Sequence, residues 1–334
     1  MNIQAIRAAA LSLIGFALAS PAYAAELTLP RDGWTSWQVA AVEDAPDWCC
    51  WSKGDFPGSS RTSCRLDDNH GNYGTRDHAT TDAVKVYARV AAGKVERVRV
   101  LSATCQVESA TPIHDLSNVD TDASARWLIA LSKDSAAKSH DLGENVLAAL
   151  ATHRGEVAHN ALVAMARDDG GRAETRKKAV FWLAMMRGVA GAEVATSVMF
   201  NDKDADVRKH GAFAITQSKS PSIASDLTRL GNTDKDGDVR AQAWFWLAHT
   251  GAASSEEVIV AALKKDSDDH VREQAIFALS QLPGERATRA LIKVAEDQSL
   301  SHEQRKRAVF WLAQSESESA QKYLEKVLAR NLPN

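Results

Sequence analysis

The sequence predicts a mainly α-helical solenoid preceded by a small β-rich module that disulfides hold together. A nine-residue segment that opens with Arg recurs five times in the second half of the chain, and all four cysteines lie before residue 106. Steps of 32, 32, 32 and 33 residues separate the leading arginines Arg176, Arg208, Arg240, Arg272 and Arg305. Self-similarity at such a period is typical of stacked helical repeats.

Each copy keeps the same residue types at fixed distances after its Arg. A small residue stands three positions on, Phe five positions on, and Leu or Ile seven positions on. The small and aliphatic positions lie about 40° apart on a helical wheel and define a buried face. The aliphatic positions are Leu183, Ile215, Leu247, Leu279 and Leu312. Each unit then continues through a short break into a second helix, so that five units fill residues 172–332.

The N-terminus has the parts of an export signal. Arg7 supplies the positive charge, Ala8 to Ala19 form an apolar stretch, and Ala22-Tyr23-Ala24 forms a small-x-small cleavage site. The apolar stretch is too short for a membrane-spanning helix. We therefore expect residues 1–24 to be a signal peptide that is cleaved after Ala24. The mature chain is expected in the periplasm or outside the cell, with no membrane insertion after signal removal.

Four cysteines mark residues 25–118 as the cystine-containing module. They are Cys49, Cys50, Cys64 and Cys105. An even number in an exported chain favours disulfides, and adjacent cysteines bridge each other only with strain. One of Cys49 and Cys50 should therefore pair with Cys64 and the other with Cys105, in an order that the sequence leaves open. A metal site formed by thiols with His70 or His78 fits no zinc spacing, so no metal ligand is predicted.

The same module contains short runs of β-forming residues. Val84 to Val90 and Val95 to Val100 flank a short Gly-containing loop and predict a hairpin, and Trp37 to Val42 predicts a third strand. Four tryptophans crowd the module at positions 34, 37, 48 and 51. A domain of this size needs large side chains to form a core. A stacking platform for a glycan or peptide is the alternative.

Helices with a poorer match to the repeat columns occupy residues 119–171. They lack the leading Arg and the Phe, as expected of the atypical unit that caps a solenoid. Between the regular units stand Asp-rich turns whose carboxylates suit helix N-caps. We expect the five arginines to reach carboxylates of a neighbouring turn and to lock adjacent repeats together, with Asp206 and Asp238 as the acidic partners.

The turn segments resemble a known repeat family. Asp206-Val207-Arg208, Asp238-Val239-Arg240 and the segment from His270 to Ala275 (HVREQA) resemble the D-x-x-V-R-x-x-A core of bacterial HEAT repeats. With the Phe-Trp-Leu-Ala segments, residues 120–330 resemble a family of exported HEAT-repeat proteins without an assigned activity. The resemblance implies a right-handed superhelix of antiparallel helix pairs that binds proteins. It carries no catalytic residues over.

The Phe column has two interpretations. Phe lies about 180° from the centre of the buried face, so it either leans into the seam between repeats or forms an exposed aromatic stripe. On the second interpretation the candidate partner-binding residues are Phe181, Phe213, Phe245, Phe277 and Phe310.

Composition and motifs narrow the function further. The net charge of −3 and the lack of a basic tract argue against nucleic acid as a partner. No G-x-S-x-G, H-E-x-x-H, Walker A or dinucleotide pattern is present, so no catalytic residue and no cofactor are predicted. The favoured function is a periplasmic scaffold that binds a protein or peptide. The alternatives are glycan or metal binding by the β module, and an enzyme with a HEAT-type fold such as a lyase.

Overall fold

A computed structural model describes residues 27–51, 63–68, 72–133 and 140–331. The predicted signal peptide, His70 and the side chain of His78 lie outside the described part. The described strands are β1 Gly33–Ala40, β2 Pro46–Trp51, β3 Ser63–Arg65, β4 Asn72–Thr80, β5 Ala83–Ala91, β6 Lys94–Ser102, β7 Gln106–Glu108 and β8 Ile113–Leu116. The helices between residues 121 and 201 are α1 Thr121–Lys133, α2 His140–Thr152, α3 Glu156–Ala166, α4 Ala173–Met186 and α5 Gly188–Asn201. The remaining helices are α6 Ala205–Thr216, α7 Ile223–Thr233, α8 Gly237–His249, α9 Ser255–Lys265, α10 Asp269–Ser280, α11 Glu285–Glu296, α12 His302–Ala313 and α13 Glu318–Asn331.

The N-terminal module is built on a four-stranded sheet with the order β6-β5-β1-β8. The hairpin expected from the valine-rich runs is formed by β5 and β6, which pair antiparallel. Ala92 and Gly93 in its turn both have positive φ, of 49° and 77°, as tight hairpin turns require. Strand β1 lies antiparallel to β5 and parallel to β8. Two further strand pairs, β2-β4 and β3-β7, lie beside this sheet.

The helices stack in two layers. We call α2, α4, α6, α8, α10 and α12 the inner layer. Neighbouring helices of this layer contact each other far more closely than do the neighbouring odd-numbered helices from α3 to α13, which form the other layer. The array therefore curves towards the inner layer. Small residues permit close packing between the two layers: a side chain at Gly211 on α6 would collide with Met199 on α5, and one at Gly231 on α7 would collide with the fully buried ring of Trp244 on α8.

One apolar core runs from the sheet into the solenoid. Val84, Val86, Val98 and Val100 on one face of the sheet belong to the same buried cluster as the helices, through to Ala320 in α13. The cluster also contains the aliphatic column predicted from the repeats, which is buried in all five units. The predicted fold class, a helical solenoid with a β-rich, disulfide-containing module before it, is confirmed.

A second, smaller core lies within the β module. It contains the Cys49–Cys105 disulfide, which has a Cα–Cα distance of 5.4 Å. Cys64 is also in a disulfide, whereas the side chain of Cys50 lies outside the described residues. None of the cysteines described is a free thiol. Of the two pairings left open by the sequence, Cys105 therefore takes Cys49.

Two of the four clustered tryptophans form core. Trp34 and Trp37 are 1% and 0% exposed. The indole Nε1 of Trp34 donates to Asp67 Oδ1 at 2.9 Å. Asp67 also accepts from the backbone N–H of Ala110 and from Arg89, and the first of these bonds contributes most to lowering the pKa of its carboxyl. Asp67 is thus a structural acceptor that ties a loop to the sheet.

A buried polar chain joins the sheet to the solenoid. Trp37 Nε1 donates to Ser124 Oγ at 2.7 Å, and Ser124 Oγ lies 2.8 Å from His153 Nε2. His153 Nδ1 lies 2.5 Å from the carbonyl oxygen of Ala149. With a neutral imidazole that donates from Nδ1, the Ser124 hydroxyl and the His153 ring each donate one hydrogen bond and accept one. Burial lowers the pKa of His153 to about 4, and the nearby guanidinium of Arg187 acts in the same direction.

We expect acid to destabilise the protein through His153. The pKa of His153 in the folded protein is about 4, below the ordinary value of 6.5. The contribution of the neutral imidazole to the free energy of unfolding is therefore complete above pH 6.5 and is lost as the pH falls towards 4. A difference of 2.5 units corresponds to about 3 kcal/mol. Urea unfolding at pH 7 and pH 4 measures the loss. In His153→Gln, the free energy of unfolding lost between pH 7 and pH 4 should be smaller by about that amount. The variant keeps His159 and His210, whose pKa values are also lowered by burial, so the difference reports on His153 alone. Equal losses in both proteins would contradict this assignment.

Candidate partner-binding surface

The turns between repeats orient the inner-layer helices. Three of these turns end in an N-cap aspartate: Asp204, Asp236 and Asp268 accept from backbone N–H groups in the first turns of α6, α8 and α10 at 2.9, 3.2 and 2.9 Å. The predicted role of the Asp-rich turns as helix caps is confirmed. Each N-cap residue also donates its own N–H to the aspartate two positions earlier.

Those earlier aspartates pair with the recurring arginines. Arg176 donates to Asp202 at 2.7 and 3.2 Å. Arg208 and Asp234 form the same bidentate pair at 2.7 and 2.9 Å, and Arg240 with Asp266 forms a third pair at 2.8 and 2.9 Å. Since each arginine comes from one repeat and each aspartate from the turn that follows it, the pairs connect successive repeats.

Every one of the five arginines also binds the turn before its own helix. Nη1 donates to a backbone carbonyl oxygen, at distances between 2.5 and 3.0 Å. The acceptors of Arg176, Arg208, Arg240, Arg272 and Arg305 are the carbonyl oxygens of Gly171, Asp202, Asp234, Asp266 and Leu300. In the first three repeats a single guanidinium therefore holds two consecutive turns.

The arginines reach carboxylates of the neighbouring turn as expected, but Asp206 and Asp238 are not those carboxylates. Asp206 pairs with Lys209 at 2.8 Å, and Asp238 lies 3.9 Å from Lys209 and 3.4 Å from His270. Both stand exposed in the first turns of α6 and α8, whereas the actual partner of Arg208 is at the C-cap of α7, where the guanidinium reaches it. That partner is Asp234, 26 residues later. Arg272 instead pairs with Asp269. Three arginine–aspartate pairs therefore connect successive repeats in the part of the chain that is described, and we call these three pairs the ladder.

The first two pairs of the ladder are buried, and their hydrogen bonds shift the pKa values of the groups. The Arg176 and Asp202 side chains are each 2% exposed, and those of Arg208 and Asp234 are each 4% exposed. The hydrogen bond that Arg176 donates to Asp202 raises the pKa of Arg176 above its usual range. Burial by itself would raise the pKa of Asp234, but the hydrogen bonds from Arg208 and from the Asp236 backbone bring it below the ordinary value. Arg208 and Asp234 are therefore both charged at neutral pH.

The inner layer presents a continuous row of rings that we call the aromatic stripe. It consists of Trp48, Trp182, Phe181, Phe213, Trp246, Phe245, Phe277, Trp311 and Phe310, in order of contact. Neighbouring ring centroids are 4.9–5.8 Å apart, within the range of favourable aromatic pairs. The first ring comes from β2, so the β module supplies one end of the stripe.

Rings of the stripe are packed and accessible together. Phe181, Phe213, Phe245 and Phe277 are half-buried, and Phe310 is 48% exposed. The first four each contact a ring of a neighbouring repeat, as the seam interpretation expected, and all five remain partly accessible to solvent. The close inner-layer packing explains this, because rings on adjacent helices meet before they can turn fully inwards.

Two different borders flank the stripe. On one side a row of charges is largely paired: Lys177 contacts Glu174, Lys209 lies 2.8 Å from Asp206, and Arg307 lies 3.2 Å from Glu273. On the other side stands a row that has one histidine and no Lys, Arg, Asp or Glu. It contains Met185, Gln217, His249, Gln281 and Gln314. The aromatic stripe thus lies between a row of charged residues that are paired with one another and a row that is rich in glutamine.

Sequence reasoning missed two features of this surface. The aspartates of the ladder stand 26 residues after their arginines, a spacing that is visible in the printed sequence. The contact of Trp48 with Trp182, with centroids 5.7 Å apart, has no such signal, because it depends on how the sheet docks on α4. Among the described residues no group of three His, Cys, Asp or Glu side chains is placed to hold a metal ion.

Comparison with known proteins agrees with the repeat geometry. Residues 232–302 match the family described as HEAT repeats. The matched segment contains α8 to α11, which are two of the five repeat units. No curated protein matches it. Among solved structures it is similar to human deoxyhypusine hydroxylase in complex with glycerol, at 15% identity and a TM-score of 0.26, over 61% of this chain and 77% of that chain. At that TM-score the likeness to an enzyme carries no argument about activity.

Proposed function

We propose that this HEAT-repeat protein is an exported interaction scaffold and that the aromatic stripe binds a protein or peptide partner. The observation that carries the proposal is the continuous, partly exposed row of rings across all five repeats. Contiguous exposed apolar surface of this kind marks interaction sites, and aromatic side chains are enriched among the residues that dominate binding energy.

The frame beneath the stripe supports this role. Each Phe stands on a helix whose turn is fixed by a bidentate or carbonyl-bound arginine, and the Arg176 and Arg208 side chains are buried. Rings that are held in place before binding lose little conformational entropy when a partner arrives. A rigid inner layer is therefore suited to recognition of a segment laid along it.

Export is supported by the disulfide chemistry. The Cys49–Cys105 bond is of a type that persists in oxidising compartments. No helix in the described ranges is long and apolar enough to span a membrane. Together with the expected signal peptide, the disulfide supports a periplasmic or secreted scaffold.

The two alternatives have less support. Ligand binding through the tryptophans of the β module is weakened because Trp34 and Trp37 are buried. Catalysis through a thiol or through Ser124 is weakened too: the cysteines described are in disulfides, and Ser124, although 2.8 Å from His153, is 0% exposed.

Phe213→Ala is expected to weaken partner binding about tenfold or more, as truncation of a central aromatic does. The matched control is Phe200→Ala, because Phe200 is a half-buried Phe in the same repeat region but lies on α5 of the other layer, beneath Arg229. Both variants should lose a similar free energy of unfolding, of about 2 kcal/mol, so that only binding separates them.

Binding is measured in exporting cells by site-specific photo-crosslinking. A photoreactive residue at Gln217 should give a discrete protein adduct that Phe213→Ala reduces and Phe200→Ala does not. The same residue at Arg289, exposed on α11, should give none. Absence of an adduct at Gln217, or equal adducts at both positions, would contradict the proposal.

A further inference from the structure

The stripe has a period of two repeats although the fold has a period of one. Six positions after the leading Arg, the first, third and fifth repeats have Trp182, Trp246 and Trp311, whereas the second and fourth have Ala214 and Ala278. The buried columns of small and aliphatic residues show no such alternation. Ala214 and Ala278 are buried and the three tryptophans are half-buried, with Trp246 and Trp311 against the Phe of the preceding repeat. The longer period therefore lies in the seam between repeats and sets how the rings of the stripe are arranged.

The geometry repeats with the same period. Within a helix, Phe181 meets Trp182 with centroids 5.1 Å apart at 71°, and Phe245 meets Trp246 at 4.9 Å and 78°. Between helices, Phe181 stacks on Phe213 at 5.8 Å and 12°, and Phe245 stacks on Phe277 at 5.8 Å and 15°. The stripe thus contains two nearly identical ring arrangements, one on α4 and α6 and one on α8 and α10.

Each arrangement includes an oriented amide. Gln217 Nε2 donates to Thr216 Oγ1 at 3.0 Å, and Gln281 Nε2 donates to Ser280 Oγ at 3.0 Å. Both hydroxyls in turn donate to the carbonyl oxygen of the stacked Phe of their helix, at 2.6 Å. One amide N–H and the amide oxygen of each Gln are left for a partner. A donor and an acceptor on one group match the backbone of an extended peptide.

The charges indicate an uncharged occupant. The rings and amides of both arrangements carry no charge. Lys177 and Lys209 beside the first arrangement already contact Glu174 and Asp206, and Glu273 beside the second contacts Arg307. A charged partner side chain would therefore meet these described charges already paired, and it would lose its hydration. The phenyl rings also cover one another's faces, so their edges remain for contact with apolar side chains.

We propose that the stripe contains two equivalent subsites, one formed by Phe181, Phe213 and Gln217 and the other by Phe245, Phe277 and Gln281. Together they bind an extended, uncharged peptide segment through two apolar anchor residues. This inference rests on the proposed function and specifies its ligand. Neighbouring helix axes lie roughly 8–10 Å apart, so subsites two repeats apart are separated by about 16–20 Å. An extended chain advances about 3.3 Å per residue, which places the anchors about five or six residues apart.

The probe is a displayed library of random dodecapeptides, selected on the full chain. Selected peptides should carry two apolar residues five or six positions apart and few charged residues. For a synthetic peptide from that pool, replacing either anchor by Ser should weaken binding about tenfold or more. Gln217→Ala and Gln281→Ala should each weaken it by a similar factor of about three to ten, the loss expected for one hydrogen bond. Gln321→Ala, on exposed α13 surface, is the matched control and should leave affinity unchanged.

The outcomes separate this inference from the proposed function. Peptides with a single anchor, or peptides that respond to only one of the two glutamines, would overturn the paired subsites while leaving the stripe as a binding surface. Enriched peptides that bind Phe213→Ala as tightly as the unchanged protein would overturn both. Selection of acidic or basic peptides, or binding of neutral oligosaccharides in place of peptides, would overturn the uncharged-peptide assignment.

Discussion

Asp202→Ala is expected to lower the free energy of unfolding by roughly 3–5 kcal/mol, the loss typical of breaking one side of a buried ion pair. Asp202 and Arg176 are each only 2% exposed at their side chains. Without the carboxylate, the guanidinium of Arg176 stays in the interior with its carbonyl acceptors alone. The cost comes mainly from this uncompensated charge. Urea unfolding followed by far-UV circular dichroism measures the loss.

Two further variants make the test specific. Asp266→Ala should cost less, because the side chains of Asp266 and Arg240 are 10% and 15% exposed and water can solvate the remaining charge. Asp206→Ala should leave the unfolding midpoint unchanged, since Asp206 is an exposed residue paired with Lys209. A similar shift for Asp202→Ala and Asp206→Ala would show that the ladder assignment is wrong.

Replacing the whole pair separates charge from packing. The double variant Arg176→Met with Asp202→Leu removes both charges together, so the double variant should lose less stability than Asp202→Ala alone. A larger loss in the double variant would mean that the two turns depend on the carbonyl bonds of Arg176 to Gly171 rather than on charge balance.

The fold could be predicted because its determinants are local. The small and aliphatic columns, exemplified by Ala179 and Leu183, lie on one helical face in each repeat, and both are 0% exposed. Helical periodicity alone places them together. The hairpin of β5 and β6 followed in the same way from two valine-rich runs and a short turn.

The ladder and the stripe depend on distances between repeats, which a helical wheel does not contain. The wheel placed Phe213 opposite the buried face but could not show that Phe181 on α4 would stack on it at 5.8 Å. It likewise could not show which aspartate of the neighbouring turn faces the arginine, and for Arg208 the structure gives Asp234 rather than Asp238. Contacts between the β module and the solenoid, such as that of Trp37 with Ser124, cannot be predicted from any local sequence pattern, because the residues are far apart in the sequence.

The double variant Cys49→Ala with Cys105→Ala is expected to cost about 4 kcal/mol. The two residues are 56 positions apart, and the chain-entropy estimate for a loop of that length is about 4 kcal/mol. Cys49 and Cys105 are both buried in the small core with Trp34 and Leu101, so some packing is lost as well. Thermal unfolding under oxidising conditions measures the effect.

Adding a reductant to the unchanged protein is not an equivalent test, because Cys64 is also in a disulfide and both bonds would open together. The variant pair isolates one bond. Unchanged stability in the double variant would mean that the shared core with the solenoid, and not the disulfide, holds the module in place.

The same bond has a consequence for the surface. Cys49 follows Trp48 directly in β2, and Trp48 forms the end of the aromatic stripe against Trp182. Loosening β2 should therefore release Trp48 from Trp182, while the stacked pair of Phe245 and Phe277, two repeats away, keeps its geometry. We expect the double variant to lose affinity for a partner segment at the first pair of repeats only. A photoreactive residue at Gln217 should then give less adduct than in the unchanged protein, and one at Gln281 the same amount. Equal losses at both positions would mean that the solenoid depends on the module along its whole length.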